Sequence, residues 1–336
     1  MKKSFSVFFI LLFLFGCQSK KIKDNEVNVR LMWIPQAQFA GYFVAKQLGY
    51  YDEEGIVVNL HSAGPDLKPQ ITVANGTDQI GIAVPNQIIS ARTNGVPLVV
   101  VAQIFQDSPN KYVLKKENAI KDLKELKGKK VGLWLGGDEA EFISMLKSEG
   151  LTLNDIIVIP QEYSIIPFIQ DKYIISMVTS YNELYQINKN GFDNKKLQII
   201  SPKNYNSAIL GDVIFTTDSY VSKNNENVKK FIKASIRGWR YCMQNPDNAV
   251  DIMIKYNPEL KKDEQRYMLN ACLDLIRSGV AKTEGIGYVD EKQYKNIQRI
   301  LHDSKQIERT VNIKEVYNTS ALREIPKELK SIDITK

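Results

Sequence analysis

The chain has 336 residues, of which 43% are hydrophobic and 10% aromatic, enough apolar material for two domains of ordinary size. Lysine and arginine outnumber aspartate and glutamate by 45 to 38, which gives a net charge of +7, and the basic residues are scattered among acidic ones. Nucleic-acid binding requires a concentrated basic stripe with aromatic or arginine readers, so this composition disfavours that class of protein.

The N-terminus has the pattern of an export signal. After two lysines, the apolar stretch 5–15 has the length of a secretory hydrophobic region and is too short to span a bilayer. The following Gly16-Cys17 resembles the lipobox of bacterial lipoproteins, in which cleavage leaves a lipidated cysteine at the new N-terminus. We therefore expect 1–16 to be a signal peptide, Cys17 to carry lipid, and 17–27 to tether an extracytoplasmic protein to a bacterial membrane, on its periplasmic or cell-surface face.

The remaining cysteines do not indicate a metal site. Cys242 and Cys272 lie in helical patterns, and the sequence has no Cys-x-x-Cys pair and no Cys/His cluster with zinc spacing. In an oxidising compartment the two residues either form a disulfide or remain buried thiols, and the sequence leaves both outcomes open.

The first part of the chain alternates strands and helices. The hydrophobic pattern predicts strands at 28–32, 57–61, 79–83 and 98–103, and helices at 39–50, 67–75 and 86–94. Because parallel strands need crossover connections, this alternation indicates a mainly parallel sheet covered by helices on both faces.

A second, smaller unit follows. Its predicted elements are strands at 130–135, 155–160, 174–179 and 197–201, helices at 138–148 and 182–190, and a short helix after Tyr163. We expect a strand at 212–216 to return to the first unit, followed by helices at 225–245, 246–256, 262–279 and 291–303.

This order of elements predicts an α/β protein with two doubly wound lobes joined by a two-segment hinge. Lobe 1 is predicted to comprise 28–114 and 209–325, and lobe 2 to comprise 115–208. Two crossings between the lobes are the arrangement in which ligand binding closes a cleft.

An ordered set of short motifs resembles the solute-binding proteins grouped with the fungal thiamine-pyrimidine synthases, over nearly the whole mature chain. The resemblance implies a type II periplasmic binding protein fold and the binding component of an ABC importer, a monomer that works with a cognate permease and ATPase. The motifs are Trp33-Ile34-Pro35-Gln36-Ala37-Gln38-Phe39-Ala40-Gly41-Tyr42, Gly64-Pro65-Asp66, Gly76-Thr77-Asp78, Gly128-Lys129-Lys130-Val131-Gly132, Trp134-Leu135-Gly136-Gly137-Asp138-Glu139, Tyr181-Asn182-Glu183, Gly211-Asp212 and Arg237-Gly238-Trp239.

Many of these motifs fall at strand-to-helix junctions. Ligands of open α/β sheets bind beyond the carboxyl ends of the strands, so we expect these loops to converge on a cleft. Trp33, with Phe39 and Tyr42 on the next helical face, is expected to offer stacking surfaces for a flat heterocycle, with core packing as the alternative. The candidate ligand-binding residues are Trp33, Gln38, Phe39, Tyr42, Gly64, Asp66, Pro85, Asn86, Trp134, Gly137, Asp138, Glu139, Tyr181, Asn182, Glu183 and Asp212.

The acidic candidates each have a competing structural role. Asp138 and Glu139 follow a glycine turn at a helix N-terminus, so they either contact a ligand or cap that helix. Glu183 either accepts paired N–H donors from an aminopyrimidine edge or caps its own helix. Asp212 is either a hinge residue or a ligand contact.

The synthases of this family are similar in sequence but carry a lysine for pyridoxal phosphate, a histidine consumed as substrate and a cysteine-rich iron segment. Ala83 and Gln87 stand near the first two positions here, and 207–212 contains no cysteine. Alanine forms no Schiff base and the segment offers no thiolate, so we predict a protein that is not an enzyme and has no cofactor or metal.

The preferred ligand is a thiamine pyrimidine precursor of the formylaminopyrimidine or hydroxymethylpyrimidine type. Pyrimidine-precursor binders of the family typically carry a histidine six residues after the motif tryptophan, where this chain has Phe39. Riboflavin or a similar ring therefore remains an alternative, which the segment 103–109 also fits. Sulfonate, taurine and nitrate are disfavoured because the motifs are aromatic and acidic rather than arginine-bearing. A receptor domain that kept the fold without the pocket is a further alternative.

Overall fold

The computed structural model describes residues 24–64, 66–193 and 195–333. The predicted signal peptide and the predicted lipidation site Cys17 lie outside these residues. Within them, no helix combines the length and the apolar character needed to cross a membrane.

One five-stranded sheet forms the centre of lobe 1. Its strands are β1 (Glu26–Arg30), β2 (Val57–His61), β3 (Ile80–Ala83), β4 (Leu98–Gln103) and β10 (Val213–Thr217). Their order is β2-β1-β3-β10-β4, with β1 parallel to both neighbours and β10 antiparallel to β3 and β4. The chain thus leaves this sheet after β4 and returns to its middle as β10.

A second five-stranded sheet forms the centre of lobe 2. Its strands are β5 (Asn110–Lys115), β6 (Lys130–Leu133), β7 (Ile157–Pro160), β8 (Ile175–Thr179) and β9 (Leu197–Ile200). Their order is β7-β6-β8-β5-β9, and β5 is antiparallel to β8 and β9. The two sheets have the same topology, which confirms the predicted architecture of two doubly wound α/β lobes joined by two crossings.

Helices cover both sheets, and lobe 1 holds most of them. They are α1 (Ala40–Gln47), α2 (Tyr50–Glu53), α3 (Pro69–Ala74), α4 (Pro85–Thr93), α5 (Ala140–Ser148), α6 (Ile166–Ile169), α7 (Glu183–Lys189), α8 (Asp218–Lys223), α9 (Asn225–Gln244), α10 (Pro246–Tyr256), α11 (Lys262–Ile276), α12 (Ala281–Glu284), α13 (Glu291–Asp303), α14 (Ser320–Arg323) and α15 (Lys327–Lys330). The predicted bounds of β2, β4, α10 and α13 match the structure.

The predicted boundary between the lobes needs correction. The sequence-based division assigned 110–114 to lobe 1, whereas β5 pairs with β8 and β9 in the sheet of lobe 2. No helix separates β4 from β5, and the sequence-based prediction had no strand at 110–115, so the change of lobe was placed too late in the chain. The crossing segments are therefore 104–109 and 201–212.

The core of lobe 1 depends on close contact between α1 and α9. A Cβ atom at Gly238 would overlap the carbonyl oxygen of Gly41, and one at Gly41 would overlap the ring of Trp239. Glycine at both positions lets the two helix backbones approach closely, and the fully buried Trp239 fills the space beside them. The motif Arg237-Gly238-Trp239 thus has a packing role.

Buried polar side chains join the two crossing segments. The Gln103 amide nitrogen donates to the carbonyl oxygens of Phe105 and Gly211, at 2.8 and 2.9 Å, and the Tyr294 hydroxyl donates to the Gln103 side-chain oxygen at 2.7 Å. Gln103 is fully buried. A buried amide with its donors and acceptor satisfied fixes the relative position of the two segments.

Glu141, at the start of α5, provides a second link at the hinge. Its fully buried carboxylate accepts the backbone N–H of Ile209 at 2.5 Å and the side-chain N–H of Asn110 at 2.8 Å. Because Asn110 and Ile209 lie at or beside different crossings, one carboxylate connects both to lobe 2. Burial raises the pKa of Glu141 to about 7.

Candidate functional site

Aromatic side chains from both lobes meet at the carboxyl ends of the strands. Trp33 follows β1 in lobe 1, and its ring centroid lies 5.4 Å from that of Tyr163, which follows β7 in lobe 2. The ring of Trp134, after β6, lies 6.1 Å from Tyr163 on the same lobe. The Trp134 indole N–H donates to the Glu162 carbonyl oxygen at 3.3 Å, which fixes that ring against the loop of Tyr163.

An open cavity of about 600 Å³ lies beside these rings. All of the lining residues belong to lobe 2, and two of them, Trp134 and Asp138, were predicted site residues. The cavity is lined by Trp134, Leu135, Asp138, Gln161, Glu162, Tyr163 and Ser164. Tyr163 was not among the predicted site residues. Its position shortly after the predicted strand at 155–160 was a signal that it lies near the site.

Asp138 lies at this cavity, on the glycine turn before α5. Its side chain is open to the water of the cleft, yet protein surrounds it closely enough that desolvation raises its pKa to about 6. The neighbouring carboxylate of Glu139 adds to the rise, and the ammonium of Lys68 in lobe 1 opposes it. Asp138 is therefore a strong hydrogen-bond acceptor in a partly desolvated position.

The other acidic residue of this turn has a different role. Glu139 accepts the backbone N–H of Gly137 at 2.8 Å and the side-chain N–H of Gln306, in lobe 1, at 3.0 Å. Gly137 has a φ of +127°, a backbone conformation that glycine adopts without strain. Glu139 thus stabilises the turn and links the lobes, with one donor already on each carboxylate oxygen.

Glu183 is buried and fully engaged at the junction of β8 and α7. One carboxylate oxygen accepts the backbone N–H and the hydroxyl of Thr179 at 2.9 and 2.6 Å, and the other accepts the Asn182 amide at 2.7 Å. A ligand would have to compete with these bonds, and because the Thr179 donors belong to the end of β8, Glu183 does not cap its own helix. Asn182 in turn accepts from Gln186 at 3.1 Å.

Asp212 lies at the end of the second crossing with its carboxylate buried. Both of its oxygens lie within hydrogen-bond distance of the Gln38 amide nitrogen, at 3.2 and 3.1 Å. Burial raises the pKa of Asp212 to about 7, because a neutral amide only partly replaces water around a carboxylate. The structure thus brings together Gln38 and Asp212, two of the predicted site residues.

Tyr181 connects these acidic groups. Its side chain is buried, and its pKa is raised by burial and by the charges of Asp212, Glu183 and Asp138. The pKa of Tyr163 is raised by burial and by Asp138 and Glu183. The charges of Asp138 and Glu183 thus act on both tyrosines, and the charge of Asp212 acts on Tyr181.

Phe39 and Tyr42 do not offer stacking surfaces in the cleft, and this expectation needs correction. They are 0% and 1% exposed, within the core of lobe 1. The Tyr42 ring packs against Phe231 and Trp239, with centroid distances of 6.0 and 5.8 Å. Helix α1 buries most of its surface against neighbouring helices, so these two rings fill core space, which was the stated alternative.

The remaining predicted residues lie on loops and helix ends of lobe 1. Pro85 begins α4, and Asn86 beside it is 8% exposed with a side-chain oxygen that has no hydrogen-bond partner. A buried acceptor without a partner is suited to an N–H or O–H donor. Gly64 forms a bridge with Leu67, and Asp66 is exposed.

The described residues contain no cluster of three or more histidine, cysteine, aspartate or glutamate side chains suited to a metal ion. Cys242 and Cys272 are buried free thiols, so the alternative of a disulfide between them is not realised. Burial raises the pKa of both thiols, which leaves them unreactive.

The two-lobed architecture and the position of the cleft are those of a type II periplasmic binding protein. Residues 36–249 match the family model described as NMT1/THI5 like, and the chain therefore belongs to that family. Among solved structures, the chain is similar to that of the periplasmic sulfonate-binding protein SsuA from Methylobacillus flagellatus. The TM-score is 0.70 at 17% identity, over 92% of this chain and 96% of that one.

Several named relatives cover most of the chain. The riboflavin-binding protein RibY of Chloroflexus aurantiacus is 24% identical over 303 residues, 87% of this chain and 85% of that protein. The formylaminopyrimidine-binding protein of Halalkalibacterium halodurans is 24% identical, covering 76% and 79%. The Saccharomyces cerevisiae 4-amino-5-hydroxymethyl-2-methylpyrimidine phosphate synthase THI11 is 24% identical over 77% and 79%. The named relatives thus include both binding proteins and synthases.

Proposed function

We propose that this protein is the extracytoplasmic binding component of an ABC importer, and that it captures a flat heterocyclic solute between its lobes. The observation that carries the proposal is the meeting of Trp33 with Tyr163 across the lobes, with ring centroids 5.4 Å apart, beside a cavity that Asp138 lines. The exposed faces of such aromatic rings bind a planar ring by stacking, while acceptors select its N–H donors. Lipid on Cys17 anchors the protein to the membrane, next to the permease and ATPase that it serves.

The solute we propose is a thiamine pyrimidine precursor, a formylaminopyrimidine or a hydroxymethylpyrimidine. An aminopyrimidine carries an exocyclic amine on one flat edge, and the N–H groups of that amine suit acceptors such as Asp138, Asp212 and the unpartnered Asn86 oxygen. The similarity to a formylaminopyrimidine-binding protein supports the same class of solute.

Riboflavin, or another flavin-like ring, is the second candidate. The cavity of about 600 Å³ beside Trp134 and Tyr163 has room for more than a single pyrimidine ring. A relative that covers 87% of this chain is named a riboflavin-binding protein, which also favours this candidate.

A small anion such as sulfonate, taurine or nitrate fits this site poorly. The cavity beside Tyr163 has no arginine or lysine among its described lining residues, and Asp138 faces it. An anion would meet the Asp138 carboxylate there with no cation among these lining residues, which is costly in a partly desolvated site.

We also propose that the protein is not an enzyme. The side chains at the positions of the synthase lysine and histidine are Ala83 and Gln87, neither of which forms a Schiff base. Ala83 is fully buried at the end of β3, so its position offers no nucleophile to the cleft.

The proposal is tested by native mass spectrometry of gently purified protein and by thermal unfolding with hydroxymethylpyrimidine, formylaminopyrimidine, riboflavin and taurine. A solute that binds only the folded state raises the free energy of unfolding of the protein by about 2.7 kcal/mol when its free concentration is about a hundred times Kd. We expect a pyrimidine to raise the melting temperature. A retained yellow chromophore would favour the riboflavin candidate, and a response to taurine alone would contradict both.

The anchor is tested separately through Cys17→Ala in the full chain. We expect the variant to lose acyl labelling, because the thiol that accepts the lipid is gone. Acyl labelling retained after this substitution would contradict lipidation at Cys17.

A further inference from the structure

The contact between Trp33 and Tyr163 lies at the end of the cleft farthest from the hinge. Tyr163 follows β7, an edge strand three positions from β5, which leads out of the first crossing. Trp33 follows β1, two positions from β10, where the second crossing ends. With about 4.8 Å between neighbouring strands, the two rings project from strands roughly 14 and 10 Å from the hinge strands of their sheets.

Other contacts between the lobes lie nearer to the hinge. The Tyr185 hydroxyl of α7 donates to Asp263 at 2.7 Å, and α7 follows β8, the direct neighbour of β5. Glu139 and Gln306 connect the lobes beside α5, which follows β6. A rotation about the hinge displaces atoms in proportion to their distance from the axis, so the Trp33–Tyr163 contact separates most for a given angle of opening.

Tyr163 has little support apart from the two tryptophan rings. Its side chain is 64% exposed, an unusually high fraction for a large aromatic residue held between two others. The Trp33 ring, by contrast, packs partly against the core of lobe 1 and is held in place. Tyr163 is therefore the less restrained ring of this contact, and Trp33 is the more restrained one.

We propose that Tyr163 is a positioning residue that retains the solute, an inference that rests on the proposed function. Its ring closes against Trp33 at the open end of the cleft, and this contact must separate before the solute leaves. Solute enters while the lobes are apart, so removing the Tyr163 ring accelerates dissociation and leaves the association rate unchanged.

The test compares dissociation rates in the full chain. Protein saturated with labelled hydroxymethylpyrimidine, or with riboflavin in a parallel series, is mixed with excess unlabelled solute and the release is followed in time. We expect Tyr163→Ala to release solute about three- to tenfold faster than wild type, the range of an aromatic pair contact. Tyr163→Phe keeps the ring and should release at the wild-type rate, because no hydrogen bond of the Tyr163 hydroxyl enters the mechanism.

Ile157→Ala is the matched control. Ile157 is 47% exposed and begins β7, so the variant removes a similarly exposed apolar side chain at the opposite end of the same strand. Wild-type release from Tyr163→Ala, or equal acceleration in Ile157→Ala, would overturn the retention role while the binding function stands. If wild type binds neither probe, the proposed function is wrong and the retention role with it.

Discussion

Gln38 and Asp212 form a buried pair across 174 residues of sequence, with the amide nitrogen 3.2 and 3.1 Å from the two carboxylate oxygens. The pair joins the loop after β1 to the end of the second crossing, where the hinge and the cleft meet. A carboxylate with one neutral partner is under-solvated, so it gains from any additional donor that a solute brings.

The first prediction concerns pH. With a folded pKa near 7 and an unfolded pKa near the ordinary value, Asp212 keeps its proton in the folded state between about pH 4 and 7 while the unfolded chain has lost it. The folded state binds more protons, so this group lowers the free energy of unfolding as pH rises, by up to about 1.4 kcal/mol per pH unit.

Asp212→Asn removes that dependence. We expect the free energy of unfolding of the variant, from urea titrations between about pH 4 and 8, to fall less steeply than that of wild type. The variant therefore gains stability relative to wild type as the pH rises. Asp66→Asn, which alters an exposed carboxylate, should follow the wild-type profile. Parallel profiles for wild type and Asp212→Asn would contradict the buried state of Asp212.

The second prediction concerns Trp33. Trp33→Ala removes the lobe 1 ring that faces Tyr163, so we expect isothermal titration calorimetry to show about ten- to hundredfold weaker binding of the pyrimidine. Trp33→Phe restores an aromatic face and should recover most of the affinity. Equal Kd values for wild type and Trp33→Ala would show that the solute does not stack there.

The third prediction concerns the link at the hinge. The two carboxylate oxygens of Glu141 accept one hydrogen bond each, from Ile209 and from Asn110. A glutamine at this position has a single acceptor oxygen, so its N–H groups would point at one of these two donors. We expect Glu141→Gln to lower the free energy of unfolding by about 1–3 kcal/mol at about pH 8. Glu149→Gln, at the C-terminal end of the same helix, should change it little. If Glu141→Gln left the free energy of unfolding almost unchanged, the hinge would not depend on this carboxylate.

The fourth prediction concerns packing between α1 and α9. Gly238→Ala forces a methyl group into the carbonyl oxygen of Gly41, so the helices must separate, at a cost of about 3 kcal/mol or more. Calorimetry should show a melting temperature several degrees below wild type. Gly64→Ala is the control, because no atom lies within 4 Å of the added methyl group. Equal melting temperatures for the two variants would contradict the observed backbone approach.

Several features of the fold were predictable because they are local. The apolar run 98–103 predicted β4, and the residues between the proline at 246 and Tyr256 predicted α10, both with the observed bounds. Hydrophobic period and terminal residues act over a few positions, so the sequence records them directly. Motif loops at the ends of predicted strands likewise indicated the cleft, since parallel strands place those ends on one edge.

The sequence by itself determined the class of fold, the two crossings and the loops that border the cleft. Only the tertiary structure decided that β5 belongs to lobe 2, that Phe39 and Tyr42 are core residues, and that Tyr163 rather than Tyr42 meets Trp33. These outcomes depend on which surfaces of distant segments pack together. A helical aromatic residue has the same local pattern whether its face covers a neighbouring helix or borders a cleft, and only the packed neighbours distinguish the two.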